Sequence, residues 1–246
     1  MELQNRSTNI DYTIVQERTG ARKFMANVFS LMFLALGVSA LFAFLFSNNL
    51  NLLAYLIKAD GTGLNPLGYI VMFAPLAFVL LMSFGYNRLP APLMLGLFIA
   101  YAAINGISFG FILLIYTTGS VVACFLSAAA MFGVMAFMGY TTDKDLTSFG
   151  RIMTMGLIGI VIASLINLFM KSDSMGYVIS FIGVLVFTGL TAYDVQKLKY
   201  IGEGIEHNGV AAVEVKKRSI MGALTLYLDF INLFLMLLRL FGSRRD

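Results

Sequence analysis

A carboxylate in the middle of a hydrophobic run is the first residue in this chain able to do chemistry. Asp229 lies nine positions into the hydrophobic stretch 220–241, about 13 Å along a helix axis. A lone ionised carboxylate at that depth in a bilayer costs about 3 kcal/mol or more, so it is expected to face a bundle interior or water. Thr225, Asp229, Asn232, Met236 and Arg239 recur at spacings of four, three, four and three, which puts them on one helical face. A second acid, Asp194, ends the run Phe187-Thr188-Gly189-Leu190-Thr191-Ala192-Tyr193-Asp194. Its local alternative is pairing with Lys197 at i+3, worth about a few tenths of a kcal/mol.

Two carboxylates brought together resist double ionisation and titrate as a coupled unit. Holding one shared proton, such a pair links two helices; without it, two like charges push apart or recruit a cation, and oxygen ligands suit Ca²⁺. Asp194 and Asp229 are therefore the candidate pH-sensing and Ca²⁺-binding dyad, with Thr225 and Asn232 as supporting polar residues. They meet if the helix carrying Asp194 continues to about Gly202 and the next begins near Glu214. Counted from the outer ends of their spans, Asp194 is roughly 25 Å deep and Asp229 roughly 18 Å, so tilt or shifted boundaries must absorb several ångströms.

The elements that would position these acids are membrane helices. Of 246 residues, 59% are hydrophobic and 12% charged, with a mean hydropathy of +0.85; a soluble domain carries about 25% charged residues. Uncharged runs near the 20 residues that a bilayer needs occur at 24–46, 67–86, 91–116, 121–140, 152–170 and 177–193, and a seventh apolar run, 220–241, is interrupted only by Asp229 and Arg239. The expectation is an all-α membrane protein with seven spans and short connections. A polar segment, 1–23, precedes a single membrane domain, 24–246; no signal peptide is expected. The polar stripe predicts a central seventh helix. The stretch 195–219 reads as two helix extensions joined by a turn, with signals at Gly202, Gly204 and Asn208-Gly209, and 48–66 as a loop with signals at Gly61 and Gly63. Pro75 predicts a kink in the second span. His207 is read as a solvated turn residue.

With the N-terminus in the cytoplasm, twelve of the seventeen Lys and Arg fall on the cytoplasmic side and five on the other, so that orientation is favoured. Three of the five are Arg239, Arg244 and Arg245, which leaves two paths for the tail: a full crossing, preferred on length, or a re-entrant return. Lys216-Lys217-Arg218 is read as an orientation signal with a minor attraction to anionic lipid. A nucleic-acid partner is not expected. One cysteine, Cys124, allows no internal disulfide, and one histidine allows no multi-histidine metal site. Asn105 with Ser108, and Asn167 with Ser164, are read as interhelical hydrogen-bonding pairs, and Gly133, Gly139, Gly156, Gly159 and Ala163 as close-packing positions.

The run at 187–199 together with Gly222-Ala223-Leu224-Thr225-Leu226-Tyr227-Leu228-Asp229-Phe230-Ile231-Asn232-Leu233-Phe234 resembles the Bax inhibitor family, in its bacterial inner-membrane branch. Met138-Gly139-Tyr140-Thr141-Thr142-Asp143-Lys144-Asp145-Leu146 is similar to that family's fourth connection and Asn105-Gly106-Ile107-Ser108 to its third helix, so the likeness covers about residues 20 to 243. The resemblance implies a seven-helix bundle around a central seventh helix, and a pH-sensitive calcium leak controlled by an aspartate pair falling on Asp194 and Asp229. It also implies, for some bacterial members, modulation of a membrane-anchored ATP-dependent protease, a non-transporting alternative in which the N-terminal segment would bind the partner. Some members pair the dyad with a basic residue in the second helix; residues 67–86 contain none.

An intramembrane aspartyl protease is the enzymatic rival, since presenilin-like enzymes also carry Tyr-Asp on one helix and an Asp on the next. Here Tyr227-Leu228 precedes the second acid where those enzymes have Gly-x-Gly, and no Pro-Ala-Leu occurs. Retinal binding fails for want of a lysine in 220–241. The expectation is therefore not an enzyme, with no catalytic residue and no resident cofactor, Ca²⁺ being the transported ion. Sequence alone assigns no oligomeric state.

Overall fold

The computed structural model describes residues 2–58, 63–207 and 210–245; the turn signals at Gly61 and Asn208-Gly209 lie outside them. The described chain is helical: α1 Glu2–Asn48, α2 Leu50–Ala54, α3 Pro66–Gly85, α4 Ala91–Ile115, α5 Thr118–Thr141, α6 Thr147–Met170, α7 Asp173–His207 and α8 Ala212–Phe241. Seven of these are long and apolar enough to span a membrane, the first from Gly20 to Asn48. The polar N-terminal segment continues into that span as one helix.

Local chemistry sets the boundaries. Pro66 and Pro92 occupy first-turn positions, where the missing N–H has no carbonyl to lose. Asn65 caps α3 by accepting from the Gly68 amide (2.9 Å). α3 runs through Pro75 without a break. Two features went beyond the expected loop at 48–66: the single-turn α2 and an antiparallel bridge between Ile57 and Leu64. The sixth span, which looks short because charges follow Asp194, runs on to His207, the last residue of α7.

α8 packs against α1, α4, α5 and α7 and is the most enclosed span, followed by α7; α3 leans mainly on α4 and α6 mainly on α7. Phe84 and Phe169 are exposed at 84% and 85%, as residues facing lipid tails would be. The C-terminal tail is fixed by backbone pairing: the Thr117 amide donates to Ser243 O (2.9 Å) and the Arg245 amide to Ile115 O (2.8 Å). Residues 115–117 lie at the opposite end of the bundle from the start of α8, so α8 crosses it fully and is not re-entrant.

Glycines explain how tightly the inner helices approach. A methyl group on Gly139 would overlap the carbonyl oxygen of Ala192 on α7, and one on Gly156 would meet Val186 at 2.9 Å. Gly133 and Gly159, also expected to be close-packing sites, have nothing within 4 Å of an added methyl. Gly139→Ala is expected to destabilise the protein by about 1–3 kcal/mol, whereas Gly133→Ala is expected to be neutral or stabilising by up to about 1 kcal/mol. Thermal unfolding of both variants in detergent checks the contrast.

Candidate functional site

The polar stripe of α8 faces α7. Met236 packs on Gly183 and the Arg239 guanidinium on Gly176, while Gly222 lies against Leu198. From the Gly183–Met236 contact, Asp194 is eleven residues along α7 and Asp229 seven along α8. The residual offset is about 6 Å, which two facing aspartate side chains can span. The two carboxyl groups are close enough to influence each other electrostatically. Asp229 is buried and Asp194 partly so. Oδ2 of Asp229 has no hydrogen-bond donor among the described residues. Thr225 lies one turn from Asp229, its hydroxyl donating back to Met221 O (3.1 Å). Asn232 sits half-buried on the same face between Asp229 and Met236.

Asp194 is reached through a small cleft of about 190 Å³ lined by Tyr86, Lys197, Arg218 and Thr225. Lys197 does not form the alternative local ion pair with Asp194; its ammonium lies 6.0 Å from the Tyr193 ring centroid. At the rim, Tyr86 donates its phenol proton to Glu214 Oε1 (2.6 Å), and Arg218 Nε donates to the same oxygen (3.3 Å). Lys217 Nζ donates to Tyr86 O (3.1 Å). Tyr86, the residue after α3, has its phenol pushed up to about 12 by burial and then by the hydrogen bond and charge of Glu214, so it remains a donor. The cations beside the dyad thus come from α7 and α8, not from the second span.

Gln196 and Tyr227 hold this region in place. Gln196 is 2% exposed; its Nε2 donates to Lys144 O and its Oε1 accepts from the Leu146 amide, both at 2.8 Å. This binds the connection 142–146 to the helix turn that carries Asp194. In the same connection, Asp145 accepts from the Thr147 amide at 2.8 Å, and the Thr147 side chain, then that amide, hold its carboxyl below the usual range. On the other face of α8, Tyr227 shares a hydrogen bond with Ser39 (2.7 Å), whose Oγ also lies 2.7 Å from Ala102 O. Asn105 interacts with Tyr101 and Tyr227, and its partner in the sequence pattern, Ser108, reaches Val71 O on α3 at 3.4 Å. Asn167 accepts from the Ser172 amide (3.1 Å). It closes its own helix end and does not bridge helices.

Residues 21–246 match the family described as Inhibitor of apoptosis-promoting Bax1. The chain belongs to this Bax inhibitor family. It is 43% identical over 233 residues to Inner membrane protein YbhL of Escherichia coli, covering 95% of this chain and 97% of that protein. A protein of Rickettsia prowazekii is 41% identical over 250 residues, covering 96% and 100%. A membrane protein of Streptococcus pyogenes is 37% identical over 229 residues, covering 92% and 95%. The Bax inhibitor motifs read from the sequence all lie within the matched region, and the chain is a multi-pass membrane protein of that family.

Proposed function

We propose that this protein is a passive, pH-sensitive leak pathway for cations, with Ca²⁺ as the transported ion and Asp194 with Asp229 as its sensor. The observation that carries the reading is the carboxyl pair itself: one buried acid, one half-buried acid reached by a cleft, and a carboxylate oxygen without a donor. A proton shared between the two acids satisfies that oxygen and ties α7 to α8. Its loss leaves an oxygen-only site for a hard cation. Among the described residues no group of three or more His, Cys, Asp or Glu could hold a metal. Weak, transient coordination is what conduction requires. The excess of cations at the end where α8 begins supports a cytoplasmic N-terminus, and the name of the Escherichia coli relative supports the inner membrane.

Liposomes carrying the protein are expected to take up Ca²⁺ at a rate that depends on pH, and an Asp194→Asn, Asp229→Asn double variant to lose that dependence. A wild type that moves no Ca²⁺ at any pH, or a double variant with an unchanged profile, overturns the proposal. The former result favours a non-transporting regulator of a membrane-anchored protease.

A further inference from the structure

One cavity lies away from the dyad. It is a cleft of about 560 Å³ where α1, α4 and α8 meet, lined by Asn27, Ser30, Leu31, Leu95, Lys216 and Ser219 among others. Pro92 at the start of α4 also lines it, and Lys216 lies four residues past the start of α8, so the cleft sits at the level of the helix ends, where lipid headgroups lie. Its walls are apolar, and the polar side chains Asn27, Ser30 and Lys216 are exposed.

The three consecutive cations at this end are not equivalent. Arg218 is paired with Glu214, and Lys217 is held on Tyr86 by a hydrogen bond to its carbonyl and by its ring (5.6 Å to the centroid). Among the described residues Lys216 has no ion-pair or hydrogen-bond partner, and the same holds for Asn27 and Ser30; Ser219 spends its hydroxyl on Val215 O (3.0 Å). A free ammonium with two free polar groups above an apolar slot matches a phosphate headgroup followed by an acyl chain. We infer that this cleft binds one anionic phospholipid, its headgroup at Lys216 and an acyl chain against Leu31 and Leu95. The apolar walls favour a lipid over free phosphate, and the surplus of cations at this end favours an anionic over a zwitterionic headgroup.

Native mass spectrometry of the full chain in detergent, titrated with phosphatidylglycerol or phosphatidylcholine, tests this. The wild type is expected to retain phosphatidylglycerol over phosphatidylcholine. Lys216→Gln is expected to lower phosphatidylglycerol retention about fivefold, the loss of one lysine's attraction. Leu95→Trp and Val213→Trp, which fill the slot from exposed positions, are expected to displace the lipid, and Lys58→Gln, at the other end, to leave retention unchanged. Equal retention of both lipids by the wild type overturns the inference. So does loss in Lys216→Gln with full retention in both tryptophan variants, which would mean surface attraction alone. Displacement of the lipid by equimolar glycerol phosphate overturns it too, because the acyl chain would then contribute nothing.

Discussion

Asp229→Asn is expected to flatten the pH profile of Ca²⁺ uptake while the protein stays folded. A flux that follows one protonation state of a titrating group changes by up to about tenfold per pH unit on one side of its pKa. Asparagine has nearly the same shape as a protonated aspartic acid and can still donate to Asp194 through its amide. It cannot lose a proton. The link between α7 and α8 is then permanent, and the pH response falls to whatever Asp194 alone confers. As a near-isosteric change, the variant should unfold within about 1.5 kcal/mol of the wild type. Uptake measured at several pH values, beside thermal unfolding in detergent, separates loss of the sensor from loss of the fold. A folded variant with a wild-type profile removes Asp229 from the sensing role.

Asp229 stands out in the sequence because a charge inside an apolar run is rare and costly, and the stripe around it repeats with helical period. Those two signals place the acid on the face of α8 that meets α7, as Met236 on Gly183 and Arg239 on Gly176 confirm. The spans are legible for the same reason: length without charge is a one-dimensional property. What escapes is any contact whose partner is far along the chain. Tyr227 looks like part of an apolar run, and nothing near it foretells a hydrogen bond to Ser39, 188 positions away. Gly133 and Gly139 look alike in sequence, yet only Gly139 has a backbone against it, because the distinction depends on which way each faces. The helix extension past Asp194 is legible, but its end is not: α7 runs through Gly202 and Gly204, which read as turn signals, to His207, because glycine marks where a helix can stop and not where it does.

Gln196→Leu is expected to cost about 2–4 kcal/mol, the largest loss of stability from any substitution considered near the dyad. The side chain is almost wholly buried and satisfies a carbonyl and an amide of the connection 142–146 at once. Leucine has similar bulk, so the cavity cost is small and the penalty is that of two stranded backbone groups, about 1–3 kcal/mol each when buried and less here because the connection can partly open to water. Because Gln196 is two residues past Asp194 on α7, opening of 142–146 frees the turn that presents the acid. Cleavage within that connection by a soluble protease should therefore quicken in Gln196→Leu, together with a lower unfolding temperature. If unfolding and cleavage both match the wild type, the connection is held by other contacts and Gln196 does not anchor it.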